Sequence, residues 1–141
     1  MKTKTLVWGG VVVAAAVGLA LTFQGLFAEL QKRSASAVLF ANQATTEIAS
    51  GWKVETLSNL ATPEYYQLVA TGDRSAWDKY QILGPFISAG SCAVLGLKVS
   101  NLVAVAQVSC PAEFKNGKAA IVLLITDAGG AWKIGSMQVR I

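Results

Sequence analysis

Two cysteines, Cys92 and Cys110, and a complete lack of histidine bound the chemistry open to this chain. A thiol activated by an imidazole is excluded, and a structural zinc would lack ligands. The remaining candidates are the carboxylates Glu29, Glu47, Glu55, Glu64, Asp73, Asp78, Glu113 and Asp127. Most have a local explanation. Glu64 and Asp73 stand at helix starts, Asp127 in a turn and Glu29 at the edge of an apolar run, while Asp78 adjoins Lys79 and Glu113 lies near Lys115. No two acids are spaced as a general acid/base pair, and no phosphate loop, metal-ligand cluster or nucleophile motif occurs. The expectation is a protein that is not an enzyme and takes no cofactor and no metal.

The cysteines have a structural reading instead. They are equidistant from Asn101, so an antiparallel hairpin turning at Ser100-Asn101-Leu102 sets Cys92 opposite Cys110. Facing Cβ atoms in such a pair are about 4.5–5.5 Å apart, near what a disulfide needs. A bridge fits a bacterial periplasm or another oxidising space better than cytosol.

The elements that would hold this pair follow a different kind of segment. Mean hydropathy is +0.48 and only 14% of residues are charged, against about 25% in ordinary soluble domains. Much of the excess lies in Leu6 to Leu30, uncharged until Glu29. As a helix this run reaches about 37 Å, enough for a hydrocarbon core of about 30 Å. The reading is a short cytoplasmic tail over residues 1–5, a transmembrane helix over residues 6–28 and a helical stalk over residues 29–50. Leu6, Trp8, Val12, Leu19, Phe23 and Phe27 form the anchor, with Trp8 near the interface. A cleavable leader ending at Gly18-Leu19-Ala20 is the alternative, but the apolar run continues past it. Lys2 and Lys4 precede the span, Lys32 and Arg33 follow it, and the cysteines favour an exported domain. The resulting placement is a single-pass protein of a bacterial inner membrane, N-terminus cytoplasmic and domain periplasmic.

Residues 51–141 read as an α+β domain. The preceding stretch Glu29–Ser50 spaces Leu30, Ala37, Val38, Ala41 and Ile48 as a helical stripe, expected to pack through Val38, Leu39 and Phe40 and to stop at Gly51. Thr62-Pro63-Glu64 combines an N-cap hydroxyl, proline at N1 and an acid in the first turn. Tyr65, Leu68 and Val69 supply that helix's apolar face and Gly72 ends it. Asp73 caps a further helix carrying Ala76, Trp77, Tyr80 and Leu83, broken by Gly84-Pro85. Four strands follow: Ser91–Val99, Val103–Phe114, Ala119–Asp127 and Trp132–Ile141, with Asn116-Gly117 as a two-residue hairpin turn. The domain is thus a four-stranded antiparallel meander covered by helices, with Trp52, Trp77 and Trp132 in the core.

Register follows from the turns. With Lys115 facing Lys118 and Ile125 facing Trp132, one sheet face collects Ala104, Ala106, Val108, Cys110, Ile121, Leu123, Ile125, Trp132 and Ile134. The other collects Leu95, Leu97, Val99, Val103, Val105, Val122, Leu124, Met137 and Val139. A sheet covered on one side is normally polar on the other. Here both faces are apolar, so Leu95, Leu97, Val103, Val105, Val122, Leu124 and Met137 are expected as a partner face.

The stretch Ser50 to Leu68 (SGWKVETLSNLATPEYYQL), Tyr80 to Phe86 (YQILGPF), Ala112 to Ile125 (AEFKNGKAAIVLLI) and Trp132 to Ile141 (WKIGSMQVRI) resembles small exported bacterial domains of the cystatin-like superfamily, which includes nuclear transport factor 2-like domains. The resemblance covers about Ser34 to Ile141 and implies helices on a curved antiparallel sheet. Its motifs are structural, and the fold hosts enzymes, ligand binders and assembly subunits alike. One span followed by such a domain also resembles, in architecture only, the membrane-anchored bridge component of type IV secretion systems.

The net charge of +4 and pI near 9.2 do not point to nucleic acid. Lys2, Lys4, Lys32 and Arg33 flank the span, and the other cations are scattered, not interleaved with aromatics. The expected partners are membrane lipid and other membrane protein subunits or a second copy, with no nucleic acid. The expected role is a non-enzymatic accessory or assembly subunit of a bacterial envelope complex. A membrane-tethered binder of a small apolar ligand, held in the cone between sheet and helices, is the alternative.

Overall fold

The computed structural model describes residues 28–127 and 129–141. The segment read as a membrane span, residues 6–27, and the tail before it lie outside these. Among the described residues no helix is long and apolar enough to cross a membrane. The described residues divide at Ser34, into residues 28–33 and the compact unit Ser34–Ile141. In the first, Arg33 Nε donates to Glu29 Oε1 at 3.2 Å. The second is an α+β domain.

Helix α1 covers residues 28–49. The domain takes it in from Ser34 onward, so the segment expected as a stalk supplies a wall of the core. Ala37, Ala41, Ala44, Thr45 and Ile48 are fully buried, the spacing of one helical face. Of the expected contact through Val38, Leu39 and Phe40, Phe40 packs against the core, whereas Leu39 is 72% exposed. Small alanines win that face because they let a helix sit close to its neighbour. Nor does Gly51 supply the left-handed residue that ends the helix. Trp52 does, with φ 50°, its N–H donating to Ile48 O at 2.9 Å.

A 3₁₀ turn, Val54–Thr56, leads into α2, Leu57–Leu60. Helix α3, Pro63–Thr71, begins as its sequence dictates: Thr62 Oγ1 accepts from Tyr65 N–H at 3.2 Å, with Pro63 behind it. Thr62→Ala should therefore lower stability by about 1 kcal/mol, read as a fall in urea midpoint at unchanged slope. Leu68, expected on the buried face, is 69% exposed, while Tyr65, Tyr66 and Val69 pack on the core. Helix α4, Ser75–Tyr80, buries Trp77, and a 3₁₀ turn at Gln81–Leu83 follows. Asp73 Oδ1 accepts from Ser75 N–H at 2.9 Å, which holds its carboxyl below the usual carboxylate range. Gly84 is required by geometry: its φ is 78°, and a Cβ there would lie 2.8 Å from Asn116 Nδ2.

The sheet has five strands, not four: β1 Phe86–Ala89, β2 Ala93–Ser100, β3 Val103–Phe114, β4 Gly117–Asp127 and β5 Trp132–Arg140. The meander β2-β3-β4-β5 is present and wholly antiparallel, and β1 joins β2 along one edge of the long β3. The turn between β3 and β4 is Lys115-Asn116, closed by Phe114 opposite Gly117. Tertiary bonds displace the turn from Asn116-Gly117: Lys115 N–H donates to Pro85 O and Asn116 N–H to Leu83 O, at 3.0 and 2.9 Å. At the other edge, the extended Ala61-Thr62 pairs with β5, Thr62 N–H donating to Ile134 O at 2.9 Å. This covers backbone that would otherwise be open to edge pairing.

All nine residues assigned to the inner sheet face are buried, and they join α1, Trp52, Val54, Leu57, Trp77 and Leu83 in one core cluster. Trp132 Nε1 donates to Ser36 Oγ at 3.0 Å and so ties β5 to α1.

Candidate functional site

The β2–β3 hairpin brings the cysteines together as a disulfide with Cα atoms 4.2 Å apart, near the roughly 4.5 Å of a non-hydrogen-bonded antiparallel pair. Their juxtaposition arises by a route the turn alone does not reveal. Asn101 and Leu102, at φ 51° and 66°, make a two-residue turn with Ser100 opposite Val103. That shifts the register by one residue from a turn centred on Asn101. A bulge between Val94 and Gly96 takes up the shift, so that Ala93 faces Ser109 and Cys92 falls beside Cys110.

The same bulge re-sorts the expected partner face. A one-residue slip moves a side chain to the opposite face, and Leu97 accordingly stands opposite Ala106 and packs against the core. On β5, a bulge at Gly135 sets Ile134 opposite Ile125 but Met137 opposite Leu123. Met137 and Val139 thereby turn inward. Those assignments of Leu97, Met137 and Val139 to the outer face are corrected: the strand glycines Gly96 and Gly135 mark the two bulges, and a register drawn from the turns alone does not use them. Val99 also sits on the inner side, opposite Ala104, yet remains 41% exposed near the hairpin tip.

What remains outside is a narrower surface. Val105 and Leu124 are 36% and 41% exposed, Val103 is half-buried, and Leu95, the extra residue of the bulge, is 58% exposed. Val122 lies in the same surface but is buried. Gln107 separates Leu95 from Leu124, and Lys98 and Thr126 flank Val105. Lys118 stands opposite Glu113. Lys133 Nζ is held by Asn59 O at 2.7 Å.

The carboxylates do not converge. Glu55 pairs with Arg74 at 3.4 Å, and Asp127 Oδ1 accepts from Gly130 N–H at 2.8 Å. Among the described residues no three acidic or cysteine side chains group to hold a metal. Burial pushes the Tyr65 hydroxyl up in pKa, a bond from the Met137 backbone partly offsetting it. Among the described residues, one surface hollow is lined by Ser88, Gly90, Pro111, Glu113 and Lys118 and another by Thr62, Thr126, Gly129, Ala131 and Lys133. Between sheet and helices the space is occupied by Ile48, Leu57, Val108, Ile121, Leu123 and Ile134, all at zero exposure.

Trp52 and Trp77 lie in the core as expected, and they do so as part of an aromatic group that the sequence did not bring together. The Trp52 ring lies 4.8 Å from Tyr80, 5.9 Å from Phe114 and 6.1 Å from Trp77. The Trp52 Nε1 hydrogen has no partner among the described residues. Compared with known proteins, the chain matches no family model, no curated protein and no solved structure.

Proposed function

We propose that the chain is a non-enzymatic, single-span membrane-anchored accessory or assembly subunit of a bacterial inner-membrane or envelope complex, its domain on the periplasmic side. The observation that carries this reading is the uncovered sheet surface around Val105, Leu124 and Leu95, exposed on a domain whose own core is already filled. Val105 and Leu124 are diagonal neighbours on β3 and β4, with Leu95 set apart by Gln107, and an exposed apolar surface of that kind fits a partner interface. The disulfide fits an oxidising compartment, and the uncharged run beginning at Leu6 fits an anchor. The α+β arrangement is compatible with the cystatin-like resemblance, a fold that hosts assembly subunits as well as enzymes and ligand binders. The partner is another membrane protein subunit or a second copy.

The ligand-binding alternative requires an enclosed apolar cavity of about 300 Å³ or more. The zero exposure of the side chains between sheet and helices speaks against it. Mild detergent extraction followed by native mass measurement tests the proposal. The expected result is the chain bound to at least one further protein subunit or to a copy of itself. A lone monomer sinks the subunit reading, and a monomer carrying a small apolar molecule revives the alternative.

A further inference from the structure

The tip of the β2–β3 hairpin is built against local preference. Its two turn residues both adopt positive φ, the type I′ pattern for which Asn followed by Gly is the preferred pair. Asn101 conforms. Leu102 does not, and its side chain is 87% exposed, so the domain gains no packing from it. A residue held in a sparsely populated conformation without benefit to the fold is a pointer to function.

The surroundings say what kind of environment suits it. Val99 is 41% exposed on the side of Ala104, and Val103 is half-buried on the opposite side. The tip is therefore amphipathic: Val99, Leu102 and Val103 are apolar, beside exposed Ser100 and Asn101, with Asp127 opposite Ala104. A protein docked on one face would leave the other wet, whereas a lipid interface surrounds a small protrusion. Lys98 is the only charged residue between Ser91 and Cys110, near enough to the apex for its long stem to reach a headgroup.

Charge is also segregated across the domain. Residues 84–141 carry Lys98, Lys115, Lys118, Lys133 and Arg140 against Glu113 and Asp127. Residues 34–83 carry Glu47, Glu55, Glu64, Asp73 and Asp78 against Lys53, Arg74 and Lys79. The strand half is basic and the helical half acidic; Lys115, Lys118 and Arg140 lie at the end of the sheet away from the tip, and Lys98 is the cation nearest it. A tip with neither aromatic residues nor arginine lacks the stacking groups a nucleic acid would need.

We infer that this hairpin tip seats in the interfacial layer of a bilayer containing anionic lipid, Leu102 leading and Lys98 at the headgroups. The inference rests on the membrane-anchored reading above and adds a second point of contact that fixes the domain's orientation. The depth is limited: β2 pairs only with β3, and its remaining backbone groups need water or headgroups, not hydrocarbon.

The test uses the full chain reconstituted in phosphatidylcholine vesicles containing one quarter phosphatidylglycerol. A photo-reactive benzophenone side chain is placed at position 102, or at position 68 on α3, whose leucine is 69% exposed. Lipid adducts are expected at 102 and not at 68, falling roughly tenfold when phosphatidylglycerol is omitted or with Lys98→Glu. A lack of lipid adducts at 102, or adducts there to a second copy, overturns the inference. Leu102→Gly supplies an independent reading. It should match or exceed the parent in urea midpoint while losing the vesicle-dependent hydrogen-exchange protection of residues 98–105. A lower midpoint would make Leu102 structural and overturn the inference. A carbonate wash reads the anchor separately: a retained chain without adducts sinks this inference alone, and a released chain with adducts sinks the anchor alone.

Discussion

Trp52→Ala should lower the stability of the domain by about 3–5 kcal/mol, the range for truncating a buried Trp or Phe. Trp52 is 5% exposed and packs at the end of α1 against the Trp77 and Tyr80 rings of α4 and Phe114 at the end of β3. Phe114 is in turn in edge contact with Phe86 on β1, ring centroids 5.7 Å apart. The Trp52 backbone is also left-handed, at φ 50°, a conformation costing about 1–2 kcal/mol for a residue bearing a Cβ. Alanine keeps that cost and loses the packing that offsets it. Trp52→Phe should fall well short of the alanine loss, because the indole N–H has no partner to lose and a ring is retained against Phe114. Urea denaturation of the three proteins tests the order parent, Phe, Ala. A phenylalanine variant as damaged as the alanine one would mean that the N–H does have a partner.

Much of the architecture was legible because the signals were local. Thr62-Pro63 marks a helix start by a hydroxyl and a fixed φ, and the structure places both as read. The inner sheet face emerged correctly because the displaced β3–β4 and β4–β5 turns preserve the pleat parity of their strands. What was not legible depends on residues without a distinguishing side chain. The bulge at Gly135 adds a residue to β5 and turns Met137 inward. The one near Leu95 does the same for Leu97. Strand β1 was missed because Phe86–Ala89 is only four residues long and is defined by pairing with distant residues of β3. The burial of Ala37, Ala41 and Ala44 was partly hidden because alanine sits equally well on an exposed helix face, so the larger Val38, Leu39 and Phe40 drew the assignment. The expected partner face was accordingly readable as an excess of apolar residues on the strands, but its membership was not.

Removing the disulfide in a Cys92→Ala/Cys110→Ala variant should lower stability by about 3 kcal/mol, the chain-entropy value for a short closed loop. The bridge closes a sequence separation of 18 residues, and for a domain near 100 residues each kcal/mol lowers Tm by about 4–8 °C. The effect should not be uniform. Strand β2 is paired on one side only, and its burial pattern shows no fully buried residue, so packing alone holds it weakly. Strand β3 is paired on both sides and buries every second residue over most of its length. Hydrogen exchange in the reduced or double-alanine protein should therefore speed up first in residues 93–102, while β3, β4 and β5 keep protection near the global limit. Loss confined to β2 means the bridge acts as a staple on a weak edge; uniform loss means it acts through the unfolded chain. An unchanged Tm, with reduction verified by mass, would show that the hairpin register alone suffices. The lipid-facing role proposed for Leu102 depends on the same staple, because a β2 strand that frays from β3 cannot hold its tip at a fixed depth. Reduction should then abolish lipid adducts at position 102 before it unfolds the domain.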